Sequence, residues 1–397
     1  MNSFEFYSPT KVIFGKGVEN QVGEEIKKWG GSRILVHYGT GSVKKSGLLD
    51  RVEAALKEAG LYYVSLGGAQ PNPHLSLVHE GIELARKEKI DFILAVGGGS
   101  AMDSAKAIAL GVPYDGEVWD FYDRKNVPVK ALPHGNIPTL AASGSETSDS
   151  SVITNEDGWL KKGYSTPFNR PKFTLMNPEL LYTLPPYQTA CGVVDIMMHT
   201  LDRYFSYGGT NEMTDLIAES LLRNVIRYGA ICMKEPDNYE ARSEVMWAGS
   251  LSHNHLTGLG RPGDWSPHQL EHELGGKFDV AHGAGLAAIW GPWAYHVYKS
   301  DVSRFVRYAK NVWGIEQGDS TAEETAVKAI EATREFFHSI GMPITVAEML
   351  GRRMTEEEIE DLTVKATWFG KRTLGNFMVL DKDEIRKVYQ ESNVEKL

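Results

Sequence analysis

Two regimes of apolar patterning divide this chain. In the first half, short and nearly continuous apolar runs at Arg33–Tyr38 (RILVHY), Leu61–Leu66 and Asp91–Val96 (DFILAV) alternate with segments at Val18–Trp29, Leu48–Ala59 and Ser76–Lys87, whose apolar residues recur at helical spacing. Runs so short and so apolar predict strands buried on both faces. Their alternation with helices predicts a parallel sheet with helices on both sides. Phe4 to Phe14 alternates around SPT as a short hairpin or edge strand would, and Gly15 and Gly17 end it. Proline and glycine thicken from Val127 to Pro138, which reads as loop, and the first domain is expected to close near Tyr182. Beyond Pro186 the helical period persists, with capping-box patterns at Ser320 with Glu323 and at Thr355 with Glu358. The expectation is an α/β domain over 1–184 followed by an all-helical domain over 185–397.

A chain of 397 residues with 42% hydrophobic content can bury two cores. No stretch approaches the roughly 18 uninterrupted apolar residues of a membrane span, and MNSFEFYSPTKVIFGKG lacks the basic and apolar regions of a signal peptide. A cytoplasmic protein without a membrane partner is expected. Cys191 and Cys232 are too few for a disulfide framework or a thiolate metal site, so any metal must use nitrogen and oxygen ligands. The net charge of −10, with dispersed Lys and Arg, argues against a nucleic-acid partner.

Candidate chemistry begins at LPPYQTACGVVDIMMHTLDRY. Pro185 and Pro186 open a helix on which Asp195 and His199 stand one turn apart on one face. Three more histidines, His268, His272 and His282, crowd WSPHQLEHELGGKFDVAHGAG, the first two on one helical face and the third after a glycine-containing turn. A lone Asp-x-x-x-His pair is ordinarily a helical ion pair. Two such faces with an additional imidazole point instead to a shared divalent ion, although spacing leaves the choice between His268 and His272 open.

The strand DFILAV runs directly into Gly97, Gly98, Gly99 and Ser100, and AMDSAKAIAL then reads as a helix. Glycines there admit a ligand to the backbone, and the helix N-terminus attracts phosphate, so the turn fits a dinucleotide pyrophosphate. Asp103, assigned to the first helical turn, is read as a helix-start residue or a ligand contact. Thr139, Ser143, Ser145 and Ser148 offer hydroxyls that would line a cofactor or close a polar turn. Lys161 and Lys162 lie in a polar stretch where most lysines are only solvated.

Taken together, GGGSAMDSAKAIA, IPT followed by SGSE, NPELLYTLPP to GVVDIMMHTLD, and HQLEHELGG followed by AHGAGLA resemble the iron-containing, or group III, alcohol dehydrogenases. The closest likeness is to their butanol dehydrogenase and broad-specificity aldehyde reductase branch. The resemblance runs through nearly the whole chain. It implies a Rossmann-like dinucleotide-binding α/β domain, an all-helical metal and substrate domain in a dehydroquinate synthase-like architecture, and a divalent metal in the cleft between them. Carried over by position, the metal ligands are Asp195, His199, His268 and His282, while His272 takes a catalytic place near substrate and nicotinamide. Gly97, Gly98, Gly99 and Ser100 fall on pyrophosphate contacts, Thr139 and Ser148 on the following loop, and Lys161 on a lysine that approaches the cofactor. Asp202 departs from the glutamate many members carry there. The implied reaction is hydride transfer between a primary alcohol or aldehyde, such as butanol or butanal, and a nicotinamide, with Fe2+ or alternatively Zn2+ as Lewis acid. A homodimer is expected from relatives and from the prevalence of twofold symmetry.

Cofactor choice is read from the end of RILVHY, where an NAD-specific fold commonly places a carboxylate for the ribose hydroxyls. Here Gly39, Thr40, Gly41 and Ser42 follow, with Lys44 and Lys45 behind and no acid until Asp50. That stretch predicts room and positive potential for a 2′-phosphate, so NADP(H) is expected over NAD(H). A polyol or phosphorylated-polyol dehydrogenase of the same fold is the alternative, and its anionic form would need basic residues, of which HQLEHELGG supplies none before Lys277.

Overall fold

The computed structural model describes residues 2–209 and 211–394. Its chain divides into two compact units, Tyr7–Thr183 and Leu184–Leu397, the latter joined by Met1–Phe6.

Eight strands lie in the first unit: β1 (Lys11–Phe14), β2 (Arg33–Gly39), β3 (Tyr62–Ala69), β4 (Phe92–Gly97), β5 (His134–Pro138), β6 (Ser150–Asn155), β7 (Leu160–Ser165) and β8 (Phe173–Met176). Six of them form one sheet in the order β1-β8-β5-β4-β2-β3, every pairing parallel, while β6 and β7 pair antiparallel by themselves. Alternate residues of the central strands feed opposite cores, as strand geometry requires. Ile34, Val36, Phe92 and Leu94 pack with Val52 and Leu56, whereas Leu35, Ile93 and Ala95 pack with Ile82 and Ile108. The apolar runs are continuous because both faces are covered.

Several elements differ from the pattern reading. Only Lys11–Phe14 of the N-terminal stretch is a strand, and it is an edge strand paired with β8. The helix expected over Val18–Trp29 opens as a 3-10 turn at Val18–Gln21 and becomes α-helical over Val22–Lys28. Strand β5, HGNIP, lies inside the stretch read as loop, yet all five residues are buried. Its face is filled by a neighbour's side chain: a Cβ at Gly135 would stand 2.6 Å from the Phe173 ring of β8. A strand packed by its neighbour's residues shows no apolar run of its own.

The second unit is helical. Its long helices are Pro186–Tyr204, Glu212–Lys234, Tyr239–His253, Ser266–Phe278, His282–Val297, Val302–Trp313, Ala322–Ser339, Glu356–Ala366 and Lys382–Glu391. Pro186 occupies the first position of its helix, where its missing N–H costs nothing, and every residue from Thr189 to Tyr204 is buried. The helix His282–Val297 lies directly against this one, since a Cβ at Gly283 would fall 2.2 Å from the Cys191 carbonyl oxygen. The capping box expected at Ser320 is one residue later, at Thr321 with Glu324, and the one at Thr355 with Glu358 is formed. Among the described residues, no helix is long and apolar enough to cross a membrane.

Candidate metal centre and nucleotide crevice

Three helices of the second unit bring the metal candidates together. Asp195 and His199 come from Pro186–Tyr204, His268 from Ser266–Phe278, and His282 is the first residue of His282–Val297. Around Asp195 Oδ1 stand His199 Nδ1 at 3.6 Å, His268 Nε2 at 3.7 Å and His282 Nε2 at 3.6 Å. These separations are too long for hydrogen bonds. Donor atoms of Asp195, His268 and His282 all lie within 4.8 Å of one another, a spacing that one divalent ion can bridge, and His199 Nδ1 adds its 3.6 Å approach to Asp195 Oδ1. Asp195 Oδ1, His199 Nδ1 and His268 Nε2 are moreover buried with no hydrogen-bond partner among the described residues. Three buried donor atoms left without partners would be costly unless a cation completes them, so the donor set fits a divalent ion.

The surrounding groups orient these donors. Asp202 Oδ2 lies 2.6 Å from His268 Nδ1, and Glu271 Oε2 meets His282 Nδ1. A carboxylate on the far nitrogen fixes the tautomer and leaves the near nitrogen as a ligand. The role of Asp202, open in the sequence, is therefore to hold His268. Burial opposes charge on His268, yet Asp202 and Asp195 keep its pKa raised to about 9. Burial, with His268 and Arg203 beside it, pushes His199 well below the ordinary histidine range. Behind His199 lies an aromatic wall: the His253 ring is tilted 46° against it with centroids 4.0 Å apart, Trp265 stands at 6.3 Å, and the Arg203 guanidinium covers Trp265 at 4.5 Å. Trp265 has φ +64°, a left-handed conformation uncommon for a bulky residue, and it immediately precedes the ligand helix Ser266–Phe278. It also lines a cavity of about 410 Å³ with Phe4, Arg203, Leu259 and Arg261. His272 is buried on the ligand helix, its ring centroid 5.8 Å from that of His282.

The turn between the two ligand helices is made by Asp279, at φ +51°; Gly275 and Gly276 lie within the helix that it ends.

In the first unit, the sheet order turns at β2, whose successor β3 lies on one side and β4 on the other. The crevice outside the carboxyl ends at such a reversal is where open parallel sheets bind ligands. Gly39 ends β2 and Gly97 ends β4, and a Cβ at Gly97 would stand 3.7 Å from Gly39 N. Gly98 caps the helix Gly99–Gly111, with Gly99 and Ser100 as its first residues. Gly41 caps the short helix that begins at Ser42, and a Cβ there would meet nothing within 4 Å. Thr139 follows β5, its N–H donating to the Gly97 carbonyl at 3.0 Å.

The loop after Thr139 is held from inside. Lys106, fully buried, donates to Ser145 Oγ at 2.7 Å, to Ser148 Oγ and O at 3.2 Å, and to Ser150 O at 2.8 Å. Burial pulls its pKa down to about 8 although Asp103, Asp149 and Glu146 oppose this. Asp103 lies past the first turn of its helix, which contains no acid, and accepts from Ser145 Oγ at 2.6 Å and Val152 N at 2.9 Å. It is therefore a tie between helix and loop rather than a helix-start residue. The Ser148 hydroxyl likewise faces this interior network. Lys161 is buried on β7, and Lys162 is paired with Asp123 at 2.7 Å.

Residues 9–178 match the iron-containing alcohol dehydrogenase family, and residues 189–393 match the C-terminal region of the Fe-containing alcohol dehydrogenase family. The chain belongs to the iron-containing alcohol dehydrogenases. It is 41% identical to NADH-dependent butanol dehydrogenase A of Clostridium acetobutylicum, over 99% of this chain and 100% of that protein. It is 35% identical to the NADPH-dependent aldehyde reductase YqhD of Escherichia coli, over 98% of this chain and 99% of that one. The crystal structure of NADH-dependent butanol dehydrogenase A from Thermotoga maritima superposes with a TM-score of 0.95 at 37% identity, each chain covered to 99%. The protein is thus an NAD(P)-dependent alcohol dehydrogenase of the butanol dehydrogenase and aldehyde reductase branch. Within this alcohol dehydrogenase, reading the sequence overlooked Glu271 and Lys106. Glu271 had a local signal, an acid flanked by histidines within one helical segment. Lys106 had none, because its acceptors lie about forty residues further on.

Proposed function

We propose that this alcohol dehydrogenase interconverts short-chain primary alcohols and aldehydes of the butanol and butanal class, using NADP(H) in preference to NAD(H) and Fe2+ in preference to Zn2+. Asp195, His199, His268 and His282 are the proposed ligands, and the observation that carries the reading is the three buried donor atoms without hydrogen-bond partners, gathered with His282 Nε2 around Asp195 Oδ1 at 3.6–3.7 Å. A divalent ion bound there supplies Lewis acidity to the substrate oxygen, while the nicotinamide supplies or accepts hydride. Asp202 holds His268 in the ligating tautomer. Backbone N–H groups at Gly99 and Ser100 open a helix N-terminus suited to pyrophosphate, with Gly97 and Gly98 keeping the approach free of side chains. Thr139 and Lys161 are proposed to flank the cofactor, and the Ser148 backbone to do so in place of its inward-turned hydroxyl. His272 is proposed to move the proton of the hydroxyl or shape the pocket around it.

The NADP(H) preference is supported by the open space at Gly41, the Ser42 hydroxyl at a helix start and the nearby Lys44 and Lys45. Relatives named for NADH and for NADPH both occur, so this stretch carries the choice. An anionic substrate is disfavoured because Lys277, the first base after His268 and His272, is paired with Asp361 at 2.6 Å. We further read the protein as a cytoplasmic homodimer, in keeping with two buried free thiols whose pKa values burial raises to about 12 and about 11.

The test is butanal reduction by the iron-loaded protein, followed at the absorbance of the reduced nicotinamide with each cofactor. A higher kcat/KM with NADPH is expected, and Gly39→Asp should shift the preference towards NADH. Absence of turnover with either cofactor overturns the substrate reading, and a higher wild-type kcat/KM with NADH overturns the phosphate-pocket reading.

A further inference from the structure

We infer that Glu271 is the positioning residue for His282, and that Gly285 provides the space this carboxylate needs. The inference rests on the metal reading above. Among the four donors, the side chains of Asp195, His199 and His268 are each 6% exposed, and His268 is already held by Asp202. His282 differs. Its side chain is 29% exposed, and it is the first residue of its helix, with no preceding turn to restrain the ring. Its Nε2 nevertheless points at Asp195 Oδ1, 3.6 Å away, while its Nδ1 meets Glu271 Oε2. Glu271 belongs to a different helix and its side chain is wholly buried.

Two arguments assign it the positioning role. A buried carboxylate is unfavourable unless it faces positive charge, and an imidazole whose other nitrogen carries a dication supplies that charge. The carboxylate in turn accepts the Nδ1 proton, which leaves the Nε2 lone pair directed at the ion and fixes the ring plane. The second argument comes from the glycine three residues past His282. A Cβ at Gly285 would stand 2.8 Å from Glu271 Cγ and 3.1 Å from its Oε1, so any other residue there pushes the carboxylate aside. Glycine inside a helix weakens it relative to alanine. Here it faces the carboxylate that meets His282 Nδ1, whereas Gly283 serves the close approach to the Cys191 backbone. The two glycines of AHGAG thus do different things.

The experiment is chelator competition for Co2+ and Zn2+ on the full chain, with the visible spectrum of the Co2+ form as a second readout. Wild type is compared with Glu271→Gln, Glu271→Ala, Gly285→Ala and the double variant Glu271→Ala/Gly285→Ala. Loss of an oriented outer partner of a metal ligand typically weakens metal binding 10- to 100-fold. That range is expected for Glu271→Ala, with a smaller loss for Glu271→Gln, which keeps the shape and an acceptor. Gly285→Ala should weaken binding in the wild-type background and add little in the Glu271→Ala background, since the group it displaces is already gone. A shifted Co2+ spectrum in Glu271→Gln is expected as well, and this near-isosteric variant decides the matter if the alanine variants do not fold. Wild-type affinity and spectrum in both Glu271→Gln and Gly285→Ala overturn the inference. A wild-type protein that binds neither ion overturns the metal reading itself, and the inference with it.

Discussion

His268 and His272 share one face of one helix, one turn apart, and local spacing treats them as equals. What separates them is a residue on another helix: Asp202 reaches His268 Nδ1 at 2.6 Å and turns its Nε2 towards Asp195. His272 instead sits beside His282, with ring centroids 5.8 Å apart. His268→Ala is expected to lose metal and activity together, as measured by metal content after desalting and by kcat. His272→Ala is expected to retain its metal while kcat falls by roughly 10²-fold, the scale of a lost general acid or base. Equal metal loss in the two variants would remove the distinction drawn here.

At the scale of elements, the helix Gly99–Gly111 does more than present its N-terminus to a phosphate. Through Lys106 it grips the loop Ser145–Ser150, and through Asp103 it fixes the start of β6. Breaking one partner of a buried charged network costs about 3–5 kcal/mol, because the groups left behind keep their desolvation penalty. Lys106→Met is therefore expected to lower the urea-unfolding free energy by about 3 kcal/mol and to weaken NADPH binding, with metal content unchanged. Unaltered stability and cofactor affinity would mean that the loop is held by other contacts. The same network explains why this loop was opaque in the sequence. A run such as SGSETSDS is compatible with a solvated turn, and only the lysine beneath it makes its hydroxyls structural.

On the scale of the whole molecule, the proposed metal ligands all belong to the helical unit and the proposed phosphate contacts all belong to the α/β unit. A ligand present at 1,000 times its dissociation constant stabilises the form that binds it by about 4 kcal/mol. For a unit of this size that corresponds to a midpoint shift of roughly 10 °C. Calorimetry of the protein with and without a chelator should therefore show the transition of the helical unit moving down by roughly that amount, while added NADPH raises the α/β transition. A chelator that leaves both transitions in place would contradict the assignment of the metal to these helices.

What the sequence determined by itself was whatever depends on neighbours along the chain. The strand–helix alternation of the first half, the glycine turn after β4, the helix opened by Pro186 and the facing pair Asp195 and His199 follow from periods and turns within a few residues. Those properties survive transplantation from pattern to fold because local sterics and burial of one face produce them. The tertiary structure decided the rest. Strand β5 is buried because Phe173 fills the space over Gly135, Asp202 selects His268 from another helix, and Lys106 meets acceptors about forty residues away. In each case the informative partner is distant in the chain, and the energy that selects the arrangement, packing in one and charge compensation in the others, exists only once the two parts are in contact.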